Sequence, residues 1–271
     1  MQAGERARRL CLSSLTGWRV SEPERARRIG RLRDVVVDLS ATQAPVTGVV
    51  VGNRLGRWSV PWREVALVPP NAVRVPRGSG APSEQPVAVT PHEVLLVRDV
   101  LDTRVYDVVG RRSVRVGDVW LDLGADGSLV VAGLEVGSRV FLRRLGLRRD
   151  RVPPARLLSL SQVHLTSQNG HRVQLATPSS SVHALEGADL AHLLTHLPMA
   201  SAADVVRQLP APSASEAVEQ LHPHLADRLR HALDGGATAV SRRRLKRTAG
   251  WRIYNPTDDE DRRSRPPGSR R

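Results

Sequence analysis

Three groups of side chains in this sequence have the chemistry of a site. Asp189, His192 and His196 stand at i, i+3 and i+7, a spacing that puts all three on one side of a helix. Imidazoles one turn apart, with a carboxylate as third ligand, suit a borderline metal such as Zn²⁺. Opposite a leucine stripe, the same residues also read as an ordinary solvated face. Asp99, Asp102 and Asp107 form a second, acidic set. Converging carboxylates bind Mg²⁺ or Ca²⁺, but these stand at turns before a strand, where Asp accepts backbone N–H bonds, with Arg98, Arg104, Arg111 and Arg112 close by. The third group is basic: Arg242, Arg243, Arg244, Lys246 and Arg247, followed by Trp251 and Tyr254. Such a block can grip RNA or an anionic membrane surface through phosphates and stacking, or serve as a solvated extension.

No pattern of catalysis joins them. There is no Walker loop, G-x-S-x-G, H-E-x-x-H or strand-linked G-x-G-x-x-G. Cys11, the only cysteine, lies in an apolar stretch and reads as buried rather than nucleophilic. A single cysteine also excludes an internal disulfide framework. The expectation is a protein that is not an enzyme and has no assigned cofactor, with Mg²⁺ the ion left open.

The elements that must position these groups follow from hydrophobic periodicity. Residues 95–123, LLVRDVLDTRVYDVVGRRSVRVGDVWLDL, alternate apolar and polar, the mark of half-buried antiparallel strands. A weaker copy lies upstream: GRLRDVVVDL at 30–39 matches VRVGDVWLDL at 114–123, with Asp34 on Asp118 and Asp38 on Asp122, both 84 residues apart. VTGVVV at 46–51 matches VAGLEV at 131–136, and VPW at 60–62 falls against VPP at 152–154. Three blocks in the same order point to an internal duplication of one small β module. Asp34 and Asp38 are expected to look outward or cap a turn. The Gly- and Asn-bearing GNRLGR reads as a hairpin, and closely spaced short strands read as a small barrel.

The predicted organisation is therefore β-barrel 1 over residues 8–70, a Pro/Gly/Ser linker over 71–91, β-barrel 2 over 92–168, helices over 180–235 and a basic, disordered tail over 236–271. In the helical part Leu190, Leu193, Leu194 and Leu197 make one stripe that Pro198 ends. Ser201 is the expected N-cap of the next helix, Ser213 and Glu216 have the spacing of a capping box, and Pro223 suits a first helical position. None of these short helices is stable alone, so they must stack. The fold class is α+β, multidomain.

Composition bounds the reading. The chain has 271 residues, 40% hydrophobic but only 3% aromatic, so its cores must be built from Val, Leu and Ala. The net charge is +14, carried by arginine, with Lys246 the only lysine; part of such an arginine bias is of the kind GC-rich coding produces. No run approaches the ~18 apolar residues of a membrane span, and the start MQAGERARRL lacks the apolar core of a signal peptide. A soluble, reduced, cytoplasmic protein is expected, one that can sit peripherally at the inner face of the membrane through its basic tail.

Two resemblances sharpen this. LTGWRV at 15–20, GRLRDVVVD at 30–38, VTGVVV and VPWREV at 60–65 follow the order of motifs in the PRC-barrel family. The second copy resembles the PRC-type segment found before MgtE intracellular domains in bacterial proteins. Residues 180–235 in turn resemble the N-terminal intracellular domain of MgtE magnesium transporters: Asp189, Leu190 and Ala191 match its first motif, Leu209 and Pro210 the second, and Ala217 to Leu221 the third. The sequence carries neither the CBS pair nor the membrane channel that accompany this domain in the transporters, which implies a protein that does not itself transport. The resemblance implies a regulatory or adaptor protein of magnesium transport, docking on a divalent-cation transporter or a CBS-containing partner. The alternative belongs to another class: PRC-barrels occur in the ribosome-maturation factor RimM, and a charge of +14 fits RNA or a ribosomal partner.

Overall fold

The computed structural model describes residues 8–22, 27–68, 70–83, 85–137 and 157–234. The chain opens with β1 (Arg8–Cys11), a single turn α1 (Leu12–Leu15), β2 (Arg19–Glu22), β3 (Arg27–Asp38), β4 (Val46–Asn53), β5 (Gly56–Pro61), β6 (Ala66–Val68) and β7 (Ala72–Arg74). It continues with β8 (Glu93–Leu95), a π turn (Leu96–Val100), β9 (Arg104–Asp107), β10 (Arg112–Leu123), β11 (Leu129–Val136) and β12 (Val163–Leu165). The remainder is helical: α2 (Gln168–Ala176), α3 (Gly187–His196), α4 (Met199–Gln208), α5 (Ala211–Glu219) and α6 (Pro223–Asp234). The fold is α+β, with two largely antiparallel sheets.

Sheet I has the order β5-β4-β3-β2-β7-β6, with β8 also on β3; sheet II has the order β1-β10-β9-β12, with β11 also on β10. The predicted closed barrels are instead open sheets. Their outer strands β6, β7 and β12 are three residues long, too short to carry a ladder round to the opposite edge. In sheet II, among the described residues, a single bridge, Leu134 to Leu158, reaches from β11 toward the chain that leads into β12. Part of the expected linker is structured: β7 pairs parallel with β2 and antiparallel with β6.

Positions 84 apart occupy equivalent places in the two sheets. β3 and β10 are both twelve residues long. Each pairs its first half with the strand just before it, β2 or β9, and its other edge with the strand just after it, β4 or β11. Register shifts fall between Leu32 and Asp34 and between Val116 and Asp118, and again between Val36 and Val37 and between Trp120 and Leu121. Such bulges bend a strand and strengthen its twist. Gly48 pairs with Val36 as Gly133 pairs with Trp120.

The second half of each long strand is completed by the other copy. β1 pairs with β10 through Leu10↔Leu121 and Cys11↔Trp120, while β8 pairs with β3 through Val37↔Val94 and Val36↔Leu95. Each exchanged strand runs straight into a helical turn capped by a buried carboxylate of the copy it has entered. Asp118 accepts from the Ser13 backbone at 3.1 Å and from the Ser13 hydroxyl. Asp34 accepts from the Val97 and Arg98 backbones at 2.6 and 3.1 Å. Both also accept the N–H of the residue that follows them. Of the two expectations for Asp34, looking outward or capping a turn, the structure shows the second, with the carboxylate buried.

Because strands are exchanged, the two β modules share one hydrophobic core. Leu10, Leu12 and Val20 lie in the same cluster as Val94, Leu96, Val119 and Leu134. The predicted barrels at 8–70 and 92–168 are thus two halves of one folded body. Trp62 Nε1 donates to the Gly127 carbonyl across the halves.

The helices bury a second cluster of small aliphatic residues, Leu190, Leu193, Ala203, Val205, Ala217 and Leu229 among them, with Tyr106 of β9 at its edge. Their starts differ from expectation at two points. Pro198 and Pro210 occupy the N-cap positions of α4 and α5, and their carbonyls accept from Ala202 and Ala214 at 2.9 and 3.0 Å. Each helix begins directly after its proline, so Ser201 and Ser213 lie inside the first turns and cap nothing. Pro223 does open α6. Among the described residues no helix is long and apolar enough to cross a membrane.

Candidate polyanion interface

On β2, Val20 is fully buried while Arg19 and Ser21 face the other way. The register then lines up Arg57, Gly52, Arg31, Arg19 and Ala72 across β5, β4, β3, β2 and β7. Arg33, the bulged residue of β3, and Arg57 both run their stems over Gly52, where a Cβ would meet the Arg33 stem at 2.8 Å and that of Arg57 at 3.3 Å. Arg74, opposite Ser21, extends the patch along β7. Neither the row itself nor the next one, Arg28, Ser21, Arg74 and Ala66, contains an acidic residue.

Arg19 and Arg31 stand directly opposite each other on antiparallel strands. Like charges so placed destabilise a sheet. Arg31 Nη1 donates to the Gly17 carbonyl at 3.0 Å, which fixes the side chain without cancelling its charge. Among the described residues Arg19, Arg31, Arg33, Arg57 and Arg74 form no ion pair. Neighbouring strands lie about 4.8 Å apart, so Arg19 and Arg31 stand side by side while Arg57 lies two strands from Arg31, across Gly52. The arginine spacing along the sequence, which looks scattered, hides this; only the pairing of five strands assembles it.

The sequence-predicted sites resolve differently. Asp189, His192 and His196 do share α3, but each has another partner: Asp189 meets Arg111 at 2.6 Å, His192 Nδ1 meets the Tyr106 hydroxyl at 2.6 Å, and His196 Nδ1 donates to the His192 carbonyl at 2.9 Å. They dock α3 onto the β9–β10 hairpin instead of converging on an ion. Arg111 adopts φ +48°, an unusual conformation for a non-glycine residue, at the turn that brings it to Asp189. Of the acidic set, Asp99 accepts the Leu95 N–H, a two-pronged bond from Arg98 and the Asn169 amide. Asp107 caps Gly110 and meets Arg112, and Asp102 lies beside Arg115. Among the described residues no group of three or more His, Cys, Asp or Glu side chains is arranged to hold a metal. Cys11 is buried. Arg242, Arg243, Arg244, Lys246, Arg247 and Trp251 lie outside the described residues.

One buried pair escapes any reading of sequence pattern. His164 of β12 and His171 of α2 meet edge to face, with Nε2 of the first 2.8 Å from Nδ1 of the second. Both rings are shut off from solvent, and His164 Nδ1 and His171 Nε2 are buried without a hydrogen-bond partner of good geometry. Burial, reinforced by the neighbouring His171 and His183, pushes His164 down to about 3. Burial lowers His171 too, against the opposing charge of Asp204 and the Ser201 backbone of α4. Burial thus favours the neutral form of both rings, at the joint between the β body and the helices.

Comparison of the chain with protein-family models, with curated proteins and with solved structures returned no match.

Proposed function

We propose that this protein is a non-catalytic binding protein whose arginine row engages a polyanion, with RNA the partner that best fits the chemistry. The observation that carries this is the acid-free row of Arg57, Arg31, Arg19 and their neighbours Arg33 and Arg74 on one rigid sheet. Phosphates relieve the repulsion between directly opposed guanidiniums, and arginine's planar fork matches phosphate oxygens. The two strand-exchanged modules are read as divergent PRC-type units, and their use on RNA parallels the RimM-like alternative drawn from the sequence. The protein would then work in the cytoplasm on ribosomal or other RNA, single strands included.

The second reading is an adaptor of magnesium transport. It is favoured by the proline-punctuated stack α3–α6, mounted on Tyr106 and Arg111, which has the layout expected of an MgtE-type N-terminal domain. In that case a divalent-cation transporter or CBS-containing protein docks on the helices, with Mg²⁺ acting at the contact. Capture from native lysate at constant ionic strength, with Mg²⁺ or with chelator, separates the two. Bound RNA that is indifferent to Mg²⁺ and lost at high salt supports the RNA reading. A CBS-containing protein retained only with Mg²⁺, and no RNA, replaces it with the adaptor reading.

A further inference from the structure

At the end of the arginine row the β4–β5 hairpin and the chain that crosses it enclose a cleft of about 550 Å³, within the size range of small-ligand pockets. Its walls are fixed. Asn53 holds the hairpin by donating to the Ile29 carbonyl at 3.0 Å and accepting the Leu55 N–H at 2.8 Å. Arg57 and Ser83 exchange two backbone hydrogen bonds, at 2.9 and 3.1 Å. That crossing is tight enough that a Cβ on Gly56, which has φ +143°, would run into Ser83.

Three guanidiniums line the cleft: Arg54, Arg57 and Arg98. Arg54 and Arg57 form no ion pair among the described residues, and Arg98 is held in place by its two bonds to Asp99, both 2.8 Å. Among the described lining residues the acid is Asp34, whose carboxylate already accepts three backbone N–H bonds. Burial pushes Asp34 up to about 6, which reduces its opposition to an incoming anion only on the acid side of that value. Val50, Val87 and Leu95 supply an apolar wall.

We infer that this cleft binds a phosphate monoester on a compact organic body, the phosphate against Arg54, Arg57 and Arg98 and the body along Val50, Val87 and Leu95. Three guanidiniums lining one cleft, that of Arg98 shared with Asp99, suit a dianion with several acceptor oxygens better than a carboxylate. The same chemistry has two sources, a free nucleotide or the terminal phosphate of an RNA lying along the row. The second source rests on the polyanion reading, since Arg57 belongs to both surfaces.

The test uses the full chain and three probes: a short RNA with a 5′-phosphate, the same RNA with a 5′-hydroxyl, and AMP. Affinities are measured for the wild type, for Arg54→Glu, at an exposed hairpin position with no partner to lose, and for the row variant Arg19→Ala/Arg74→Ala. The terminal-phosphate source predicts about ten-fold tighter binding of the phosphorylated RNA. That preference vanishes in Arg54→Glu, while the row variant weakens both RNAs alike and keeps it. The free-nucleotide source predicts AMP binding that Arg54→Glu abolishes, with the two RNAs equal. Equal RNAs without AMP binding overturn the cleft and leave the row standing; so does any phosphate preference that survives Arg54→Glu. AMP binding sensitive to Arg54→Glu, with no affinity for either RNA, keeps the cleft and sinks the row.

Discussion

Asp34 and Asp118 show what a single side chain does here. Each is a carboxylate in a bulge, turned inward to cap a turn that arrives from the other module. Asp118→Ala leaves the Ser13 N–H and hydroxyl without their acceptor, and should cost about 1–3 kcal/mol; a lower melting temperature checks it, with Asp118→Asn losing less. The sequence matched the two residues to each other and left Asp34 either looking outward or capping a turn; alternation could not decide between them, because it cannot see the extra residue that rotates the strand between Leu32 and Asp34. His164 gives a prediction in pH. Its folded pKa lies below that of the unfolded chain, so the unfolded state takes up protons first and stability falls as pH drops from about 6.5 toward 3. Asp34 runs the other way, since a carboxyl raised to about 6 loses stability as pH rises from about 4 to 6. His164→Phe should therefore weaken the acid loss seen in melting temperature between pH 6.5 and 5, while lowering stability at neutral pH through the lost bond to His171. An unchanged pH profile would count against a buried neutral pair.

At the scale of elements, hydrophobic periodicity located the long strands and the helices α3–α6 but not α2, which falls between the predicted second barrel and the predicted helices, and chain chemistry decided where the helices begin. The leucine stripe of α3 and the long alternating strand β10 were legible because their patterns run for ten residues or more. The helix starts were not, since proline fixes its own backbone at the N-cap and overrides a serine two or three positions on. Ser213→Ala should accordingly leave the melting temperature nearly unchanged. Ser167, which caps α2 by accepting the Gly170 N–H at 3.3 Å, should cost about 1 kcal/mol when replaced by Ala. The reverse order of effects would show that the helix boundaries are misplaced. Gly133 is a further constrained point, with φ +150° and a Cβ position 2.8 Å from Leu157.

For the whole molecule the governing feature is the exchange of β1 and β8 between the two copies. Nothing in the sequence can reveal it, because duplicated strands with the same pattern satisfy either pairing. Its consequence is that a break in the crossing segment should not separate the halves. Residues 1–90 and 91–271, co-expressed as two chains, should purify as a one-to-one complex, each insoluble alone; two independently folded fragments would contradict the shared core. The same assembly of strands makes the arginine row, and the row is the centre of the functional account. The most direct test is the salt dependence of affinity for a short single-stranded RNA, compared between the wild type and Arg19→Ala/Arg74→Ala. Each phosphate contact contributes about 0.7 to the log–log slope for single strands, so the variant should bind more weakly with a slope shallower by about 1.4. Equal affinities and equal slopes would mean that the polyanion, if bound at all, lies elsewhere.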